Sequence, residues 1–245
     1  MAQLTLNGVA VVGGGPAGLM AALTAARLGA RVVLIDENDQ PGGQLRKQIH
    51  KFFGSKVHRA GVRGYHIAYE LIKDCTVAGV ELLSNTAVFS LKGRTLGLSQ
   101  GDNTSYLKAD AVILATGASE NALAFPGCTL PGVMGAGAAQ TFTNLHRVLP
   151  GSRILMVGGG NVGLIVSYQL LQAGAQVVGV IEVLPRLSGY QVHAAKIKRA
   201  GVPIWTGHTV LQASGDYQVR EVTVAAVDDH FHPLPGSERT LAVDT

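Results

Sequence analysis

Apolar positions in this chain gather in short unbroken runs, and glycine-rich turns punctuate them. Val9-Ala10-Val11-Val12 reads as a strand covered on both faces. Gly13-Gly14-Gly15-Pro16-Ala17-Gly18 follows, and then an Ala- and Leu-rich stretch with helical spacing that stops at Gly29. A second run, Val32-Val33-Leu34-Ile35, delivers Asp36 and Glu37. The same order returns later. Ile154-Leu155-Met156-Val157 predicts a strand, Gly158-Gly159-Gly160-Asn161-Val162-Gly163 a turn, and Leu164 to Ala173 a helix ended by Gly174. The strand Val177 to Ile181 then ends in Glu182. Between the two blocks, Thr86 to Leu91, Thr95 to Ser99 and Ser105 to Lys108 predict short strands, separated by Gly93-Arg94 and Gly101-Asp102-Asn103. Ala111 to Ala115 predicts a further buried strand, running into Thr116-Gly117.

Strand, glycine turn, helix, strand and terminal acid are the parts of a dinucleotide site, in the order it needs. Gly13 permits the tight turn out of the strand, where a Cβ would force strain. Gly15 lets the backbone approach a pyrophosphate, and Gly18 lets the helix pack close to the sheet. Pro16 suits a first helical turn, where its missing N–H has no partner to lose. The free N–H groups of that turn and the helix dipole face the phosphates. Asp36 stands where a carboxylate accepts from ribose hydroxyls. Gly158, Gly160, Gly163 and Glu182 repeat the arrangement.

A fingerprint that recurs once, 145 residues on from Gly13 to Gly158, is too widely spaced for a solenoid and marks two domains. The boundaries expected are 1–118 and 119–245. Each is expected to be a Rossmann-like α/β domain, with a central parallel sheet, flanking helices and a small antiparallel meander.

Composition narrows the picture. With 32 glycines and only 15% charged residues, the chain suits buried parallel sheets with tight turns rather than disorder. The net charge of +4 is modest and no dense basic stripe appears, so no nucleic-acid partner is expected. Cys75 and Cys128 are far apart and form no CxxC. With no basic leader or cleavage site visible, a reducing, cytoplasmic setting is expected. The chain carries no charge between Arg153 and Glu182, but glycines, Gln169, Gln172 and Gln176 break the stretch. Strands flanking a buried helix explain it better than a membrane span. No His, Cys or Asp cluster has ligand spacing, so no metal is expected.

The sequence resembles the two-dinucleotide-binding flavoproteins, the group that contains thioredoxin reductase. The residues that carry the likeness are the first fingerprint, Gly42-Gly43-Gln44, the Ala115-Thr116-Gly117 turn and the second fingerprint. Phe125-Pro126-Gly127, Leu130-Pro131-Gly132-Val133 and the stretch Gly189 to Lys196 look most like the large subunits of amine dehydrogenases, the sarcosine oxidase alpha, opine oxidase and hydrogen cyanide synthase relatives.

The resemblance implies FAD on the first domain, held by Gly13, Gly15, Pro16, Ala17, Gly18, Asp36, Glu37, Gly43, Gln44, Val88, Ala115, Thr116 and Gly117. It implies a nicotinamide nucleotide on the second, held by Gly158, Gly160, Asn161, Val162, Gly163 and Glu182. A carboxylate at Glu182 accepts from a free ribose 2′-hydroxyl and repels a 2′-phosphate, so NAD is favoured over NADP. Arg186 is the nearby base that would favour NADP.

Two departures qualify the likeness. Thioredoxin reductases carry a CxxC shortly before the second fingerprint, where this chain reads Met134-Gly135-Ala136-Gly137-Ala138. Disulfide exchange needs two sulfurs, so that activity is not expected. The family also completes its FAD domain after the nicotinamide domain, with a strand, a Gly-Asp motif and a helix. This chain stops at Asp244-Thr245, where that return begins. The expectation is a fragment of a longer flavoprotein or an incomplete flavin site, with an open sheet edge and a tendency to associate. The functional expectation is an FAD-dependent oxidoreductase exchanging hydride with a nicotinamide nucleotide, in an amine or amino-acid dehydrogenase system with a small-molecule substrate or an electron-transfer partner subunit. The second reading is a non-catalytic nucleotide-binding subunit. No catalytic residue announces itself.

Overall fold

The computed structural model describes residues 2–245. They form two compact units, divided between Ser119 and Glu120.

In the first unit, β1 (Ala2–Val12) leads through the glycine turn into α1 (Pro16–Arg27) and returns as β2 (Val32–Ile35). A short α2 (Gln44–Lys47), α3 (Gly64–Val77) and β3 (Glu81–Leu83) come next, followed by β4 (Ala87–Lys92), β5 (Thr95–Gln100) and β6 (Asn103–Leu114). One six-stranded sheet has the order β3-β2-β1-β6-β5-β4. Strands β3, β2, β1 and β6 pair in parallel, while β5 and β4 add antiparallel. Successive residues of β1 face opposite sides. Val11 packs with Leu19, Leu23, Ile67 and Leu71 under α1 and α3, whereas Ala10 and Val12 pack with Leu96, Leu98 and Leu107. All four residues of β2 are buried, as a strand covered on both faces requires.

Two expectations are corrected here. β1 begins well before Val9, because Leu4 and Leu6 already pair with β6, and its register shifts between Leu6 and Val9. The stretches around Ser105 and Ala111 are one strand, not two. Continuous β6 pairs with β5 along its first half and with β1 from Ser105 to Leu114, which makes the antiparallel meander part of the parallel sheet.

The second unit opens with α4 (Ala136–Thr141), which continues as a π-helical turn over Phe142–His146. Then follow β7 (Arg153–Val157), α5 (Asn161–Gln172), β8 (Gln176–Glu182), α6 (Gln191–Arg199) and β9 (Ile204–Thr206). The three strands form a parallel sheet in the order β7-β8-β9. Here the antiparallel meander is a separate sheet of β10 (His208–Ser214), β11 (Glu221–Ala226) and β12 (Arg239–Ala242). Leu164, Val166 and Leu170 of α5 are at most 1% exposed and pack with Ile154, Val180 and Ile197. The uncharged stretch is therefore a strand, a buried helix and another strand. Among the described residues no helix is long and apolar enough to cross a membrane.

Candidate functional site

In the first unit the chain leaves β1 at Val12 and turns at Gly13, whose φ is +100°. Its N–H donates to Ile35 O at 2.8 Å, fixing the turn to the end of β2. A Cβ on Gly13 would collide with Ala115 O, and one on Gly18 would collide with Gly13 O. These two glycines let the Ala115-Thr116 segment and α1 close on the turn. A Cβ on Gly15 would meet nothing within 4 Å. The turn is open on that one side, and the N–H groups of Ala17 and Gly18 lie in the first turn of α1, ahead of its first internal bond from Leu19 N–H to Gly15 O. Pro16 and Ala17 are exposed there.

Asp36 is only 7% exposed, and both of its carboxylate oxygens accept hydrogen bonds from the protein. One carboxylate oxygen, Oδ2, accepts from Gly14 N–H at 2.5 Å. The other accepts from Asn38 N–H and from Asn38 Nδ2, both at 2.8 Å. Gly14 is held from the opposite side as well, its carbonyl accepting from Gly42 N–H at 2.7 Å. A Cβ on Gly14 would fall 2.7 Å from Asp36 Oδ2 and 2.9 Å from Pro41 Cβ. Gly43 abuts the turn, since a Cβ there would lie 2.8 Å from Gly15 Cα. Glu37 and Gln44 are exposed beside it, as is Gly117 after the Ala115-Thr116 contact. Thr86 N–H donates to Asp36 O, which brings the start of β4 to the acid. Val88 itself turns its side chain to the core of Leu96 and Leu98.

The second unit repeats the backbone bonds of this arrangement. Gly158, with φ +104°, donates its N–H to Ile181 O at 2.8 Å, and a Cβ on Gly163 would collide with Gly158 O. Glu182, 7% exposed, accepts from Gly159 N–H at 2.8 Å and from Leu184 N–H at 3.0 Å. Gly159 O accepts from Gly189 N–H at 3.1 Å. The open position is Gly160, where a Cβ would meet only Ser188 Oγ at 3.6 Å. The side chain of Asn161 is committed to the protein: Oδ1 accepts from Tyr190 N–H at 2.7 Å and ties the start of α6 to the turn. Val162 and Arg186 are exposed.

Gly14 and Gly159 were invisible as site residues in the motif, which leaves their positions free. Only the folded-back carboxylates show why glycine stands there. Both turns fit a dinucleotide by the same test. Their crowded sides admit no side chain, and their open sides, at Gly15 and Gly160, leave backbone bare for a phosphate.

Thiol chemistry finds no support. Cys75 lies buried in α3, where burial and then the neighbouring Asp74 charge push its pKa up. Cys128 is half-buried in the second unit. At the start of α4, Glu120 accepts from Gly137 N–H at 2.9 Å, in the stretch where a thiol pair would stand. That stretch borders a cavity of about 580 Å³ within the second unit, lined by Met134, Met156, Val157, Val210 and Val222 among others. Among the described residues no three His, Cys, Asp or Glu side chains converge as a metal site would require.

Comparison with known proteins gives one consistent answer. The family model described as pyridine nucleotide-disulphide oxidoreductase matches residues 7–232. An opine oxidase subunit of Agrobacterium tumefaciens is 33% identical over 181 residues, covering 70% of this chain and 36% of the relative. The HcnB subunit of hydrogen cyanide synthase from Pseudomonas aeruginosa is 32% identical, covering 95% of this chain and 55% of that protein. The chain thus spans between about a third and just over half the length of these relatives. Among solved structures, thioredoxin reductase of T. acidophilum superposes with a TM-score of 0.73 at 21% identity, over 98% of this chain and 75% of that one. That likeness concerns the fold.

Proposed function

We propose that this chain binds FAD on its first glycine turn and a nicotinamide nucleotide on its second, and passes hydride between them within an amine- or amino-acid-oxidising system. The chain belongs to the pyridine nucleotide-disulphide oxidoreductase family, flavin-dependent oxidoreductases whose cofactors are FAD and NAD(P). The finer assignment rests on one observation. Two separately folded units each present a strand–turn–helix with a buried acid, Asp36 or Glu182, bonded to the middle glycine of the turn.

The residues divide the work simply. Gly13 to Gly18 and Gly158 to Gly163 offer backbone N–H groups and helix N-termini to the pyrophosphates. Asp36 keeps acceptor capacity toward ribose hydroxyls at Oδ2 and Glu182 at both oxygens, since each of these accepts only one hydrogen bond from the protein and has a second lone pair. The chemistry that the bound pair supplies is hydride transfer between nicotinamide and flavin, and the chain contributes binding and orientation. Glu182 favours NAD, because its carboxylate accepts from a free ribose 2′-hydroxyl and repels a 2′-phosphate. The opine oxidase and hydrogen cyanide synthase relatives are both subunits, which supports a partner chain for this one.

The rival reading, a nucleotide-binding subunit without chemistry, draws on one feature. The stretch before the second fingerprint carries glycine and alanine in place of a thiol pair. The visible spectrum of the purified protein decides between them. A bound flavin that bleaches on adding NADH without oxygen supports hydride transfer. A bound flavin that neither NADH nor NADPH bleaches would leave only the binding role.

A further inference from the structure

Each nucleotide turn is gripped at its middle glycine, and the two grips match. Gly14 N–H donates to Asp36, and Gly159 N–H to Glu182. The carbonyls of the same two glycines accept from Gly42 and Gly189. In both units the acid's second oxygen is taken by the backbone N–H two residues on, Asn38 or Leu184. Both oxygens of each carboxylate thus already accept from the protein before any ligand arrives. Each is built into the loop that meets the ligand, at 7% exposure.

We propose that Glu182, with Asp36 as its counterpart, is a positioning residue of the turn as well as a ribose acceptor. Its carboxylate sets the backbone that receives the pyrophosphate, so its loss weakens every dinucleotide, NADPH included. This rests on the dinucleotide reading above.

The chemistry of the donors makes the claim specific. Glu182 faces two N–H groups, Gly159 and Leu184, on its two separate oxygens. A glutamine of the same shape offers one acceptor and one NH₂, so it leaves one of those N–H groups facing another donor. Glu182→Gln therefore costs the brace one of its two bonds, at Gly159 or at Leu184, without creating a cavity. Charge alone argues the other way, because removing a carboxylate beside a diphosphate strengthens the binding of that anion. The positioning role and the charge effect have opposite signs.

The probe that separates them is 2′,3′-dideoxyadenosine diphosphate, which keeps the diphosphate and lacks both ribose hydroxyls. It is titrated calorimetrically into the full chain with FAD at saturation, so that the first turn is filled. For wild type against Glu182→Gln, the expected result is about tenfold weaker binding in the variant, the scale of one lost buried hydrogen bond. Gly159→Ala is the second variant. Its methyl would crowd Leu187 and stand 3.1 Å from Glu182 Cβ, so the acid must give by a few tenths of an ångström while keeping its charge, and the probe should weaken in the same direction. Amide exchange in the nucleotide-free protein should quicken across residues 158–163 in Glu182→Gln and stay unchanged in β9. Equal or tighter probe binding by Glu182→Gln, or unchanged exchange at 158–163, overturns the positioning role. Wild type that binds neither NADH nor the probe overturns the dinucleotide reading instead.

Discussion

Asp36→Ala is the sharpest test of the first turn, because the structure states what the side chain holds. The carboxylate accepts three hydrogen bonds, from Gly14 N–H at 2.5 Å and from Asn38 N–H and Nδ2 at 2.8 Å. Gly14 is buried, so its N–H is left without acceptor or water, at a cost of about 1–3 kcal/mol. Asn38 is exposed and recovers water, so its two bonds add only about 0.5–1 kcal/mol. The first unit should lose about 1.5–4 kcal/mol of stability, seen as a fall of about 5–15 °C in its melting temperature. FAD loses its ribose acceptor at the same time. That costs on the order of 2–3 kcal/mol of affinity, or about 30- to 150-fold in Kd. Thermal melting of the flavin-free protein reads the first number and flavin fluorescence titration the second. Asp36→Asn should lose less stability, because its amide oxygen can still accept from Gly14 N–H while its NH₂ faces the exposed Asn38. An Asp36→Ala protein that melts with wild type and binds FAD unchanged would refute both the brace and the cofactor assignment.

At the second turn, wild type should bind NADH more tightly than NADPH by fluorescence titration, and Glu182→Ala should lower both while narrowing their ratio; a wild-type preference for NADPH would make Arg186 the deciding residue. Gly163→Ala should cost the second unit about 3 kcal/mol in urea unfolding, since its methyl would strike Gly158 O and force α5 off the turn. His193 is buried in α6, and burial, then the Lys196 charge, hold its pKa below the ordinary 6.5. A proton that binds more readily to the unfolded chain means stability is full above about pH 6.5 and declines as pH falls below it; urea midpoints from pH 5 to 8 should show this, and His193→Gln should flatten the curve. Cys75 should resist alkylation until the first unit unfolds while Cys128 reacts in the native protein, and mass spectrometry of the native chain reporting modified Cys75 would contradict its burial.

What could be read from the sequence was whatever local chemistry forces. Val32 to Ile35 announced a doubly covered strand because no polar residue interrupts it, and Pro16 marked the first turn of α1 because proline fits few other places in a helix. The long strands were harder. Gly8 breaks the apolar pattern between Leu6 and Val9, yet β1 runs through it, since the missing side chain lets β1 pass Arg31 O where a Cβ would collide. Asp110 lies between the two stretches expected as separate strands within β6. It is exposed, its carbonyl accepts from Arg94 Nη1, and the strand continues past it. In both cases a partner strand distant in sequence decided the outcome.

The site shows the same division more clearly. Gly13, Gly15 and Gly18 are legible because each answers a demand of the turn itself or of the ligand. Gly14 and Gly159 answer a demand made by Asp36 and Glu182, from the far end of the following strand. No spacing rule carries that demand, because it exists only once the carboxylate has folded back. The same holds for Asn161, whose amide fastens Tyr190. Pro16 stands at the matching position of the first turn, where Gly43 closes on Gly15 without any such side-chain bond. Two turns with different residues at that position reach one geometry, and they share the acid on the middle glycine. The shared element is the one to perturb first, because substituting it acts on both turns' common brace, whereas substituting Asn161 removes a bond that only the second turn has.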